Sequence, residues 1–276
     1  MKIDELEEFA ESCKVSIFAY SKTRNVFAYN EDTIIDAACT LKVFIMLDYV
    51  RQIYEKTING DEFLTVTDEN NATGAGTVKF LSCGMNIKAD DLVELMVAIS
   101  DHMAANILID FLGINHINDT MNMFGFSNTI LKKKYLVPKS RHVGFITAHD
   151  YAKFYYMLDN NEFFNEEACD YMKQILKTQK YKDFLAEPLF DEPDYIDMAC
   201  KSGKVDGRTI EPMSNSVVND GGIIITRKGN YYMAFISEIL NNQAVSMADL
   251  KRLMHIVSRN IFREVLVNET NICKAW

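Results

Sequence analysis

Three short groups of residues carry the chemistry this sequence can do, and the first is Cys39-x-x-Lys42. A spacing of three puts the thiol and the ammonium on one face of the first turn of a helix. Free backbone N–H groups and the positive helix end favour a thiolate there, and a neighbouring ammonium favours it further. The residues that follow, Val43, Phe44, Ile45, Met46, Leu47, Val50 and Ile53, are apolar on nearly every side, which predicts a helix at the centre of the fold. Burying a lysine without a task is costly, so the pair reads as an activated nucleophile. Taken alone, it better fits a small core cysteine beside a chance lysine, and a nucleophile also needs a base and an orienting partner.

The second group is Ser100-Asp101-His102, set between two apolar stripes where one helix would stop and the next be capped. The third is Lys201-Ser202-Gly203, on a predicted strand. Each has a plain structural reading, as a helix cap and as a surface lysine at a strand end. In this order the three resemble the class A β-lactamase and penicillin-binding-protein superfamily, whose motifs are S-x-x-K, S-D-N and K-T-G. The helix–Ser-Asp–Ala-Ala-Asn–helix pattern over Gly84–Gly113 is similar to the same region of class A enzymes, as is Asn219-Asp220-Gly221-Gly222-Ile223. The resemblance runs from the first strand to the last helix.

Several roles follow from that resemblance. Cys39 stands in the nucleophile position and Lys42 in the proton-handling position. Ser100 would relay a proton to the leaving group. Lys201 would orient an anionic substrate group, Ser202 would donate to it, and Gly203 completes the motif. The backbone N–H groups of Cys39 and Lys204 would form the oxyanion hole. Three departures matter. A cysteine replaces the family's serine; thiolates acylate without a strong base and leave a thioester that amines attack more readily than water. His102 replaces an asparagine, as an acid, base or polar contact or as a structural imidazole. The loop Leu131–Ser140, where class A enzymes carry a deacylating glutamate, contains no acid. Slow or absent hydrolysis of a penicillin-derived acyl group should follow.

The expected function is a cysteine-dependent acyl-enzyme catalyst, an amidase or acyltransferase passing an acyl group from an amide, thioester or ester to an amine or water. The alternatives are a β-lactam-hydrolysing or penicillin-binding enzyme with slow deacylation, and a non-catalytic binding module on the same fold. The substrate would be a small-molecule or peptidyl acyl compound. A net charge of −10 disfavours nucleic acid and anionic membranes as partners. No stretch is long and apolar enough to span a bilayer, and no secretory signal is evident, so a cytoplasmic setting is expected. The six cysteines, Cys13, Cys39, Cys83, Cys169, Cys200 and Cys273, form no CxxC pairs, which disfavours zinc and predicts reduced thiols. No cofactor is implied, and a monomer is expected.

The elements that must position these groups are legible from periodicity. A helix is predicted over 3–13, strands over Val15–Tyr20 and Val26–Tyr29, then the central helix. A strand follows at Phe63–Val66 and a glycine-bearing loop at Asn70–Gly76. Helices are predicted over Ala89–Gly113 with its break, over 114–125, from the Thr147 cap, and over 161–179. Strands follow at Met198–Gly203, Val217–Thr226 and Tyr231–Ile239, with a turn at Arg227–Asn230, and a last helix over 246–268. Strands at both ends and helices between them predict an α/β (α+β), β-lactamase-like fold. Residues 1–36 and 197–276 would form an antiparallel sheet domain with flanking helices, and 37–196 an inserted all-helical domain.

Overall fold

A computed structural model describes residues 3–135, 142–207, 215–240 and 245–272. The elements in chain order are α1 (Glu5–Phe9), β1 (Cys13–Ser21), β2 (Asn25–Tyr29), β3 (Ile35–Asp36), a 3₁₀ turn at Ala38–Leu41, and α2 (Lys42–Tyr54). Next come β4 (Phe63–Thr65), β5 (Asn86–Lys88), α3 (Ala89–Ala98), α4 (His102–Leu112), α5 (Ile114–Met123), β6 (Ile130–Leu131) and β7 (Gly144–Ile146). The chain continues with α6 (Ala148–Asp159), α7 (Glu166–Lys177), β8 (Tyr195–Cys200), β9 (Gly203–Val205), β10 (Ser216–Thr226), β11 (Tyr231–Ile239) and α8 (Met247–Ile272). No described helix is long and apolar enough to cross a membrane.

The main sheet is antiparallel with strand order β2-β1-β11-β10-β8, and β9 pairs with β10 beside β8. Its two long central strands are buried at every position of β11 and nearly every position of β10. An antiparallel sheet with one wet face would alternate apolar and polar residues; these strands do not, because both faces are covered. Tyr231, Met233 and Phe235 face a core shared with α1 and α8, whereas Tyr232, Ala234 and Ile236 face the core built around α2. That second core is the larger. Within it α2 is buried from Lys42 through Val50, and Phe44 sets its ring edge-on against Phe126 and Phe154 at 5.0 and 5.3 Å. Truncating such a ring to alanine costs about 3–5 kcal/mol. Short strands interrupt the helices between α2 and α6, pairing β4 with β5 and placing β7 between β3 and β6.

Several boundaries differ from the periodicity, each for a local reason. The first helix is one short turn, because the chain turns at Ala10–Ser12 and Cys13 already pairs with Ile239. The helix expected over 161–179 begins at Glu166, where the Asn165 side chain accepts the Ala168 N–H at 2.8 Å and fixes the start. The strand expected over Met198–Gly203 is two strands, broken at Lys201-Ser202, each paired with a different part of β10. Of the loop Leu131–Ser140, residues 136–140 lie outside the described residues.

Candidate active site

The nucleophile candidate sits at the junction of a strained turn and the central helix. Ala38 has φ +46°, a left-handed conformation uncommon for a residue with a side chain. Its N–H is held by Asp36 Oδ1 at 2.8 Å, and the other oxygen of that buried carboxylate meets His142 Nδ1 at 2.5 Å. Cys39 follows within the 3₁₀ turn, and Lys42 opens α2. Strain of this kind costs about 1–3 kcal/mol and persists only where the surroundings over-determine it. Here β9 presses from the other side. A Cβ on Gly203 would stand 2.7 Å from the Cys39 nitrogen, so only glycine allows the strand edge to lie against that peptide.

The second group arrives on the α3–α4 connection. Ser100 has φ +59°, and Asp101 holds the bend: its carboxylate accepts the N–H groups of Thr77, Val78 and Ala104 at 2.5, 2.9 and 3.0 Å. That loop passes so near that Gly76, with φ +110°, has no room for a side chain against Asp101. Asp101 is therefore both helix cap and loop anchor. The cap leaves His102 facing the Cys39 sulfur and Ser100 facing Lys42 and Lys201.

The three groups converge. The Cys39 sulfur lies 3.2 Å from His102 Nε2 and 3.7 Å from Lys42 Nζ. Lys42 Nζ also donates to the Ser100 carbonyl at 2.6 Å and to Ser100 Oγ at 3.1 Å. Lys201 Nζ reaches the same hydroxyl at 3.0 Å and the Ser202 carbonyl at 2.6 Å. With both ammoniums donating, the lone pairs of Ser100 Oγ are filled, and its proton is the one it can offer outward. His102 Nδ1 faces the Thr73 carbonyl at 2.8 Å, so that nitrogen carries the proton and Nε2 is the one that deals with the sulfur. Thiol, imidazole and orienting carbonyl thus stand in the order that nucleophile activation requires.

Burial acts on these charges, and the neighbours oppose or reinforce it. For Cys39, burial pushes the thiol up, but Lys42, His102 and Lys201 together outweigh it and hold the thiol well below its ordinary range. For Lys42, burial drives the ammonium down to about 7, aided by Lys201 and resisted by Cys39 and Asp101. Burial likewise lowers Lys201. Beneath it, Asp220 is raised to about 7 by burial, although it accepts the Leu185 and Gly221 N–H groups. Lys201 is held by its own peptide: its N–H bonds the Gly221 carbonyl at 3.1 Å, and its carbonyl accepts the Tyr151 hydroxyl.

Two expected substrate contacts stand differently. The Ser202 hydroxyl donates to the Tyr181 carbonyl at 3.2 Å, so donation to a ligand would mean exchanging that bond. The Lys204 side chain is exposed and its backbone lies opposite Val218. The sequence reading missed the Thr73 carbonyl, the Asn106 side chain and Tyr135. Only the glycines around Thr73 signalled that a backbone would approach there. Asn106 bonds both backbone groups of Tyr135, and the Tyr135 ring packs on Lys42 and His102. The described cysteines, Cys13, Cys39, Cys83, Cys169 and Cys200, are all free. No group of three His, Cys, Asp or Glu among the described residues could hold a metal ion.

The fold has relatives among known proteins. No curated protein matches the chain. A β-lactamase from Sphaerobacter thermophilus is 23% identical over 95% of this chain and 93% of that one, with a TM-score of 0.80. PBP-A is 20% identical over 94% of each chain, with a TM-score of 0.81, and a variant of it has been solved as an acyl-enzyme complex with penicillin G. A representative class A β-lactamase from Bacteroides cellulosilyticus is 17% identical over 95% of this chain and 96% of that one, with a TM-score of 0.81. At such identities the likeness shows the shared fold, a mixed helix and antiparallel-sheet architecture. The family assignment rests on the match of the β-lactamase enzyme family to residues 2–265, and the chain belongs to that family.

Proposed function

We propose that this family member is an acyl-enzyme catalyst whose nucleophile is the Cys39 thiolate, passing an acyl group to an amine or to water. The observation that carries the reading is the sulfur 3.2 Å from His102 Nε2 while Nδ1 is turned to the Thr73 carbonyl. The thiolate attacks the substrate carbonyl carbon and a C–S bond forms. The oxyanion is held by the backbone N–H groups of Cys39 and Lys204. The leaving group departs with the Ser100 proton, which Lys42 replaces across 3.1 Å. In the second half-reaction an incoming amine or water attacks the thioester, the C–S bond breaks, the nucleophile's proton passes to His102 or Lys42, and the thiolate returns. Lys201 and Ser202 orient an anionic group of a small-molecule or peptidyl substrate. A reducing, cytoplasmic setting and a monomeric chain suit this thiol chemistry.

A second reading keeps the penicillin-binding activity of the structural relatives. It is favoured by the PBP-A acyl-enzyme complex and by the lack of any acid in Leu131–Ser140. One experiment separates the readings: intact mass after incubation with penicillin G, an acyl thioester or iodoacetamide. Thioester acylation followed by release on adding an amine supports the transferase reading. A persistent penicilloyl adduct on Cys39 supports the second. A Cys39 that no electrophile modifies favours a binding module, and full activity in Cys39→Ala removes the covalent mechanism outright.

A further inference from the structure

We propose that Tyr135 excludes water from the acyl-cysteine, its ring closing the side of Cys39 where Lys42 and His102 meet. The inference rests on the Cys39 reading and concerns which nucleophile ends the cycle. Hydrolysis needs a water within hydrogen-bond reach of a base and close to the thioester carbon. The groups near the sulfur that could serve as that base are Lys42 and His102. Tyr135 packs on both. Lys42 Nζ lies 4.5 Å from the centre of its ring, and the His102 ring stacks on it at 5.5 Å with planes 23° apart. The space beside both candidate bases is therefore filled with aromatic carbon.

The ring is held there deliberately. Asn106, itself fully buried, accepts the Tyr135 N–H at 2.6 Å and donates to the Tyr135 carbonyl at 2.9 Å, and its amide also reaches the Asn70 carbonyl at 3.2 Å. One side chain thus clamps both backbone groups of one residue and ties them to the loop below α4. Tyr135 is 1% exposed, and burial, with Cys39 and Asp36 nearby, keeps its phenol neutral well beyond physiological pH. A neutral phenol cannot take a proton from water at pH 7. Its hydroxyl has no hydrogen-bond partner among the described residues. A buried donor left unpaired is destabilising, so Tyr135→Phe should fold at least as well as the natural chain.

An amine needs less help. It attacks a thioester as a neutral nucleophile, forming C–N as C–S breaks, and sheds its proton afterwards. Water must be deprotonated as it attacks, so filling the space beside the bases slows water selectively.

The test uses S-phenyl thioacetate as acyl donor and intact mass to follow the acetyl group on Cys39 after excess donor is removed, without amine and then with glycinamide. Tyr135→Phe should retain the natural acyl lifetime. Tyr135→Ala should shorten it without amine by about 10²- to 10⁴-fold, the range of one general-base contribution, while acylation changes far less. Tyr135→Leu, which keeps an apolar filler of smaller reach, should fall between and serves if the alanine variant does not fold. An unchanged lifetime in Tyr135→Leu or Tyr135→Ala, or a Tyr135→Phe lifetime as short as theirs, overturns the inference. Failure of the natural chain to acylate overturns the Cys39 reading instead, so the two failures are distinguishable.

Discussion

Replacing Lys42 with methionine isolates a charge that favours the Cys39 thiolate. At 3.7 Å and an effective dielectric of about 20, an ammonium–thiolate pair is worth about 4 kcal/mol, roughly three powers of ten in the ratio of thiolate to thiol. Methionine keeps the length of the side chain and removes that attraction, while the burial that opposes ionisation stays. The thiol of Lys42→Met should therefore ionise at higher pH than the natural one. Its thiolate is also more basic and intrinsically more nucleophilic, which with a Brønsted slope near 0.4–0.5 recovers part of the loss and leaves a fall of about 30-fold where both thiols are protonated. The assay is iodoacetamide alkylation from pH 5 to 10, read on the peptide that carries Cys39 because the exposed Cys83 also reacts. The natural chain should alkylate at a nearly constant rate down to acid pH. The variant's rate should fall as pH drops through its raised thiol pKa while the natural rate stays nearly flat, and above that pKa it should match or exceed the natural rate. Superposable profiles would show that Lys42 does not shape the thiolate, and the account of the site would fail at its first step.

Three further outcomes follow from other parts of the site. Burial depresses Lys42 to about 7, so its proton is present below that pH and lost as pH rises through it. Turnover of an amide, whose leaving group needs that proton, should decline above about pH 7, whereas a thioester with an acidic leaving thiol should hold its rate; paired pH–rate profiles check this. His102→Phe keeps a ring against Tyr135 but removes the nitrogen from the sulfur, and acylation should slow by about 10²–10⁴ in single-turnover mass measurements. Asp101→Ala strands the buried N–H groups of Thr77, Val78 and Ala104, so it should lose about 3–5 kcal/mol and lower Tm by about 10 °C, measured calorimetrically at neutral pH.

How much of this could be seen in the sequence depended on whether a feature carries a local signature. The central helix was legible because nothing but a buried position tolerates apolar residues all round, and the break at Ser100–His102 because Asp101 is a capping residue between two stripes. The motif order pointed to the family before any coordinates. What stayed hidden is made by backbone and by distant packing. The partner that fixes the His102 tautomer is a carbonyl, and any residue could have supplied it at Thr73. Tyr135 looks like any aromatic in a basic loop until Asn106, one turn along α4 from His102, is found gripping it from both sides. The left-handed Ala38 and Ser100 carry no mark either, since both residue types prefer other conformations and are forced here by Asp36, Gly203 and Asp101. Lys201-Ser202 broke a predicted strand because β10 pairs with the flanks of that dipeptide and leaves the lysine free to turn inward.

A cysteine in place of serine changes what the lysine has to do. A serine hydroxyl must surrender its proton before it can attack, which demands a neutral amine beside it. The Cys39 thiolate is favoured by its surroundings at the outset, so in the proposed cycle Lys42 would start with a proton that it could give to the leaving group through Ser100. Acylation then removes the negative charge from sulfur, and with it the attraction that kept the Lys42 proton in place against burial. In the proposed acyl-enzyme Lys42 would therefore be more strongly driven to neutrality than before, and the acid of the first half-reaction would become the base of the second. Such a site does not need a carboxylate to deprotonate an incoming nucleophile, and the absence of acids from Leu131–Ser140 ceases to be a defect. The remaining question for the acyl-cysteine is which nucleophile can reach the neutral amine. The aromatic ring lying 4.5 Å from that nitrogen is the physical element placed to decide it.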